Sequence, residues 1–249
     1  MDSGLVYKSN ALVQASYRLS VYEQRIVLGC IAQVRRDQPL TDQQLYSVSA
    51  QQIADMTGTS LGTAYQNLKS ASERLYRREV TLHEAPNGDS NGKTRLTRWV
   101  QTVEYRETEG LVALRFGADM VPYLSQLTEQ FTRYALTDVA RMDSAHAIRL
   151  YELLCQWRGA GQREVATEWL RAAFQLGGIT GRTKGFVALL FQYVHNAADQ
   201  RIFGTYHSKI NIVVPDKGEQ FLPVIVVEGN IFSQRFRPGI SGSDIQFFQ

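Results

Sequence analysis

The chain has 249 residues, 44% hydrophobic and 20% charged, with a formal net charge of +3 and two cysteines; these values exclude a disordered, fibrous or disulfide-stapled protein and leave room for one large domain or two of about 100–120 residues. No run of about 18 apolar residues occurs, and no basic segment leads into a hydrophobic stretch at the start, so the expectation is a soluble, cytoplasmic protein, neither exported nor held in a membrane. So small a net charge excludes a strongly basic arm, yet Lys and Arg gathered on one face still attract phosphates, because local potential governs that contact.

In chain order, Leu19 to Arg36 predicts a first helix: Leu19, Tyr22, Ile26 and Cys30 recur at helical spacing, and Ser20 with Glu23 forms a capping box. Within it, Ile26 to Ala32 is uncharged and rich in β-branched residues, which fits either ordinary core or a segment that changes partners when exposed. Cys30, like Cys155 further on, lies in an apolar helical pattern, as a buried thiol in a reducing compartment would. A strand over Leu45 to Val48 follows, then a second capping box, Ser49 with Gln52, ahead of Ile53 and Met56. Thr57-Gly58-Thr59 interrupts that helix and Ser60 caps the next, in which Leu61, Ala64, Leu68, Ala71 and Leu75 form one apolar stripe. Helix, tight glycine turn, helix is the spacing of a helix-turn-helix.

The period then falls to two. Strands are expected over Val80 to Glu84, over Arg95 to Arg106 with Trp99, Gln101, Val103 and Tyr105 on one face, and over Leu111 to Phe116. The turn-rich loop from Pro86 to Lys93 is the candidate wing. A linking region, Ala118 to Met142, holds a predicted helix near Val121 to Leu127, and the strongly apolar helix Ala145 to Trp157 belongs in a core. Thr167 to Leu176 is a short amphipathic helix ended by Gly177-Gly178, Phe186 to Ala198 another helix, and Lys209 to Val214 and Phe221 to Val227 flank the turn Pro215 to Gly218. The order helix, helix, turn, helix, hairpin thus occurs twice. The expected fold class is α+β, with two winged-helix domains at 1–130 and 131–228 and a loose tail at 229–249.

With its apolar stripe turned inward, the helix after Ser60 presents Gly62, Thr63, Gln66, Lys69, Ser70, Glu73 and Arg77. Gln pairs bidentately with adenine, Thr meets a thymine methyl, and Lys and Arg serve guanine or phosphate. Arg74, Arg77, Arg78, Lys93, Arg95 and Arg98 add cations at the end of that helix and along the wing, while Glu73, Glu79 and Glu84 offer them partners within the chain. Catalytic patterns are weak. The four histidines are isolated, no tyrosine sits beside a metal-binding motif, and Gly177 to Gly185 lacks the spacing of a phosphate loop. No enzyme activity, metal or cofactor is expected.

Three stretches carry a resemblance: Asn10 to Ser20 with Glu23-Gln24-Arg25, the helix Thr63 to Leu75, and Phe131 to Tyr134 joined to Ser144 through Trp157. Together they resemble the iteron-binding replication initiators of bacterial plasmids. That resemblance implies two winged-helix domains that bind direct repeats in double-stranded origin DNA as monomers, and homodimers that bind an inverted repeat and repress the initiator's own gene. It implies recruitment of the host initiator and replicative helicase, without bond cleavage or nucleotide hydrolysis. By position, Ser60 to Arg77 resembles the first reading helix, with Thr63, Gln66, Lys69, Ser70, Arg74, Arg77 and Arg78 toward DNA and Lys93 and Arg95 on the wing. The segment from Arg182 into the following helix resembles the second. It departs from the family pattern, since Phe186 to Val194 is almost wholly apolar. Its contacts are therefore expected from Arg182, Thr183 and Lys184 at the helix start and Lys209 and Lys217 in the hairpin. A stand-alone repressor and a protein-interaction module that has lost DNA binding are the alternatives.

Overall fold

A computed structural model describes residues 4–34, 39–86, 88, 92–157 and 167–176, together with the backbone of 208–213 and 224–229. In chain order these form β1 (Leu5–Ser9), α1 (Asn10–Val13), β2 (Ser16–Tyr17), α2 (Val21–Ile31), β3 (Tyr46–Ser49), α3 (Ala50–Thr57), α4 (Leu61–Leu75), β4 (Glu79–Leu82), β5 (Arg95–Arg98) and β6 (Val100–Arg106). They continue with β7 (Leu111–Phe116), β8 (Phe131–Ala135), α5 (Leu136–Ala140), α6 (Ala145–Trp157), α7 (Thr167–Ala173), β9 (Ser208–Val213) and β10 (Val224–Gly229).

Local chemistry sets the helix starts. Ser20 accepts from the Glu23 amide and Glu23 reaches back to the Ser20 amide at 2.8 Å, and Ser49 and Gln52 do the same for α3. Each such cap is worth about 0.5–2 kcal/mol. Gly58 ends α3 at φ 73°, a left-handed turn open to glycine without steric penalty, and its amide donates to the Ala54 carbonyl at 2.8 Å. Ser60 then caps α4, whose Ala64, Leu68, Ala71 and Leu75 are all fully buried. Leu61, expected on that stripe, is 51% exposed, because it stands in the first turn before the helix meets α2 and α3. The segment Ile26 to Ile31 in α2 is enclosed in the core on every side. Cys30 is buried there, whereas Cys155 is only half-buried.

Three small antiparallel sheets surround this helical trio: β2–β4–β5, β3–β7–β6 and β1–β8. The single strand expected over Arg95 to Arg106 is two strands in different sheets. Trp99 is the crossing point: its amide donates to the Arg78 carbonyl at 3.3 Å, its carbonyl accepts from Gly117 at 3.1 Å, and its ring is buried edge-on to Tyr17 at 4.9 Å. A bulge between Val100 and Thr102 then turns Gln101 outward, which breaks the alternation expected for Trp99, Gln101, Val103 and Tyr105. The helix expected near Val121 to Leu127 is instead a 3₁₀ segment, Ala118–Tyr123, with Pro122 inside it.

The boundary expected after residue 130 separates two paired strands, since β8 hydrogen-bonds along β1 from Leu5↔Ala135 to Ser9↔Phe131. The core of the first unit also takes in Tyr134, Val139, Met142, Ala147, Ile148 and Tyr151. Helix α6 is buried almost all round because its other side, Leu150, Leu153, Leu154 and Trp157, packs a second cluster with Val13 of α1 and Leu170 and Phe174 around α7. Between these cores lies a buried charge network. Glu152 receives Lys8 Nζ at 2.5 Å, Tyr134 Oη at 2.6 Å and Arg149 Nη1 at 3.3 Å, while Arg149 also donates to Tyr17 Oη and to the Ala15 carbonyl at 2.8 Å. Burial alone would raise the Glu152 carboxyl, but the two cations outweigh it and hold it below the usual carboxylate range. Two cations share one carboxylate, so burial draws the Lys8 ammonium below its ordinary value.

Helix Phe186 to Ala198 and the turn at Pro215 to Gly218 lie outside the described residues, as does the expected tail beyond Gly229. The β9–β10 hairpin pairs Val213↔Val224 through Ser208↔Gly229, close to the expected span.

Candidate nucleic-acid interface

Helix α4 is 15 residues long, about 22 Å at 1.5 Å per residue, and docks on α2 and α3 by one face only. The opposite face carries Thr63, Gln66, Ser70 and Glu73 at alternating spacings of three and four, and Arg77 continues the line in the turn just past Leu75, all exposed. Among the described residues, Gln66 has no hydrogen-bond partner for its side chain and Arg77 has no carboxylate within ion-pair distance. Thr63 Oγ1 lies 2.8 Å from Ser60 Oγ, and Asn67 Nδ2 donates to the Thr63 carbonyl at 2.8 Å, which ties down the first turn. The stripe therefore offers an amide, hydroxyls and a guanidinium along one line. That set suits the edges of bases and the phosphates beside them.

Of the remaining described cations at the end of α4 and on the expected wing, all but Lys93 are engaged within the protein. Glu23, fully buried at the start of α2, receives Arg74 Nε at 3.1 Å, Arg78 Nε at 2.8 Å and Arg78 Nη2 at 3.0 Å. These arginines clamp the end of α4 to α2, and Arg74 also donates to Ser70 Oγ. Arg95 Nη1 is 2.6 Å from Asp119, on the 3₁₀ segment. Arg98 lies over the Tyr76 ring at 5.7 Å, and Lys93 is exposed. Sequence reasoning missed Glu23 as an anchor because its capping box accounted for it. The carboxylate's burial, which frees it for two guanidinia, depends on contacts from α4.

The hairpin that lies against α4 is not the one expected. Residues Pro86 to Lys93 connect β4 to β5, whose sheet leads away to β2, whereas β6 and β7 share a sheet with β3 and contact α4. Composition marks both turns, and only the sheet order says which one belongs to the helix-turn-helix. The β6–β7 tip, Glu107 to Gly110, is seated by three contacts: Tyr65 Oη donates to the Glu107 carbonyl, the Ala50 amide donates to the Gly110 carbonyl at 2.8 Å, and Tyr65 packs edge-on to Tyr105 at 5.9 Å. Gly110 sits at φ 58°, a left-handed angle that favours glycine, with the Tyr65 ring 3.1 Å from where a Cβ would be, so a side chain there would also press on that ring. From this tip Glu107 Oε1 reaches Lys69 Nζ at 3.0 Å, and this hydrogen bond, with the carboxylate's charge, holds the ammonium above its usual range. Lys69, expected to be free, is thus paired.

Arg182, Thr183, Lys184 and Lys217 lie outside the described residues; Lys209 is on β9, opposite Glu228. Among the described residues no cluster of His, Cys, Asp and Glu has the makings of a metal site, and no helix is long and apolar enough to cross a membrane.

The sequence model of the family described as "Initiator Replication protein, WH1" matches residues 5–155. An uncharacterized 27.6 kDa protein of Escherichia coli is 25% identical over 180 residues, covering 69% of this chain and 74% of that one. A replication initiation protein of Escherichia coli is 28% identical over 156 residues, covering 62% of this chain and 47% of that one. The PI protein of Escherichia coli is 22% identical over 163 residues, covering 58% and 52%. The chain spans about half the length of these last two. In the solved structures, the Pi initiator protein crystallised in complex with iteron DNA superposes with a TM-score of 0.68 at 16% identity, over 93% of this chain and 100% of that one. At that identity the likeness is one of fold: helix-turn-helix with a backing hairpin, the winged helix.

Proposed function

Because the chain belongs to the Initiator Replication protein, WH1, family, we propose that it is a plasmid replication initiator that binds double-stranded DNA at its origin through the exposed stripe of α4. The observation that carries this is that Thr63, Gln66 and Ser70 line one side of the second helix of a helix-turn-helix, with Arg77 in the turn at its end, all exposed, and with Gln66 and Arg77 unengaged among the described residues. An α-helix fills the major groove, and a hairpin beside it touches backbone. Gln66 and Thr63 read base edges in this arrangement, Arg77 holds phosphate, and Arg74 and Arg78 keep α4 in place. The second domain, with Arg182, Thr183, Lys184, Lys209 and Lys217, adds mainly phosphate contacts. Monomers bind direct repeats and homodimers an inverted repeat, with the host initiator and helicase as partners and no bond cleavage by the chain itself.

Binding of a duplex carrying a repeat from the adjacent origin, set against a shuffled duplex, tests this. Gln66→Ala is expected to lower cognate affinity by about 1–3 kcal/mol and leave shuffled binding nearly unchanged. Arg77→Ala is expected to weaken both and to reduce the slope of log affinity against log salt by about 0.9. Equal binding of the two duplexes by the parent protein refutes the reading.

A further inference from the structure

The hairpin tip beside α4 is acidic where a phosphate-binding wing would be basic. Of the three carboxylates at the tip and on the end of β6 leading into it, Glu104 and Glu109 are taken by Arg106 at 3.3 and 3.7 Å, and Glu107 alone is aimed at the helix. The tip cannot swing away cheaply, because its backbone is held by Tyr65 and Ala50 and its turn is closed by Gly110 against the Tyr65 ring. The Glu107 carboxylate is therefore carried from a held backbone position to the edge of the stripe, with its ammonium partner, Lys69, half-exposed over the Tyr105 ring at 5.7 Å.

We infer that Glu107 is a specificity-determining residue that steers Lys69 toward neutral base-edge acceptors and away from phosphates. This rests on α4 being the reading helix. A phosphate approaching Lys69 meets the Glu107 carboxylate 3.0 Å from the ammonium, and two anions compete for one cation. A guanine O6 or N7 carries no net charge, so Lys69 donates to it with Glu107 still in place. Every duplex offers phosphates, whereas only the right sequence offers that acceptor, so the carboxylate penalises wrong sites more than the right one. Glu107 acts through Lys69 and is a positioning residue. Glu73, one turn further along α4 and exposed, adds to the same field.

The test uses the full chain with two probes, a duplex carrying one origin repeat and a shuffled duplex of equal length. Glu107→Gln is expected to raise affinity for the shuffled duplex by about twofold to fivefold and to steepen its salt slope by about 0.9 as Lys69 gains a phosphate. Cognate affinity rises less, so discrimination falls. In a Lys69→Ala background the substitution loses its effect. Glu107 is 66% exposed and its backbone contacts survive the change, so folding is not at stake and the thermal midpoint is expected to hold. An unchanged or weaker shuffled complex, or the same gain without Lys69, overturns the inference. A parent protein that fails to distinguish the probes removes the reading of α4 itself, whereas a discriminating parent with an inert Glu107→Gln removes this inference alone.

Discussion

The Glu23 clamp makes a quantitative demand on stability. Its carboxylate is fully buried and accepts four hydrogen bonds, from the Ser20 amide at 2.8 Å, Arg74 Nε at 3.1 Å, and Arg78 Nε and Nη2 at 2.8 and 3.0 Å. Glu23→Gln keeps the shape and one oxygen for the cap, but its amide hydrogens point toward guanidinia that cannot accept them. Two charge-assisted bonds are lost at about 1.5–3 kcal/mol each before relaxation. Arg74 and Arg78 side chains are 49% and 32% exposed, so both rehydrate and recover part of the loss. The net cost is about 2–3 kcal/mol, below the roughly 3–5 kcal/mol of a fully buried pair. Urea unfolding followed by tryptophan fluorescence, with the m-value unchanged, measures it, and the thermal midpoint is expected to fall by about 4–12 °C for a chain of this size. Arg78→Gln in the same cycle is expected to show a coupling of at least about 1 kcal/mol with Glu23→Gln. A loss under about 0.5 kcal/mol, or additive effects, refutes the clamp and returns both arginines to the solvent-facing set.

Two further outcomes follow from other parts of the molecule. His146 stacks on Phe174 at 6.0 Å, and burial, aided by Arg18 and Arg149, lowers its pKa. The unfolded chain therefore takes up the proton first, and stability that is complete above about pH 6.5 is lost as pH falls through the folded-state value. Urea midpoints between pH 7.5 and 5.5 are expected to decline in the parent and to flatten in His146→Phe; an equal slope in both sinks this assignment. Toward the C-terminal end, Arg182→Ala with Lys184→Ala is expected to reduce the salt slope of origin binding by about 1.8, and an unchanged slope takes both residues out of the proposed interface.

What proved legible before folding was local. Two capping boxes, the glycine turn at Gly58 and the stripe from Ala64 to Leu75 each need only residues three or four apart, and all form as expected. The outward set of α4 follows from the same periodicity, and the burial of α6 from its strongly apolar composition. The family resemblance rested on Asn10 to Ser20 with Glu23 to Arg25, Thr63 to Leu75, and Phe131 to Tyr134 with Ser144 to Trp157, and the match over 5–155 takes in nearly all of these positions.

Pairing between distant residues left no such local mark. Strand β8 completes a sheet with β1 from more than a hundred positions away, and Lys8 meets Glu152 across 144. Trp99 divides a continuous alternating pattern between two sheets, and the turn-rich composition of Pro86 to Lys93 pointed to a hairpin other than the one that backs α4. Composition and spacing determine which side of α4 meets solvent, because helix geometry is intrinsic to the backbone. Only the tertiary structure decides which cations on that side remain unpaired, because a carboxylate's reach depends on where the fold carries it: Glu23 takes Arg74 and Arg78, Glu107 takes Lys69, and Arg77 is left to the solvent among the described residues.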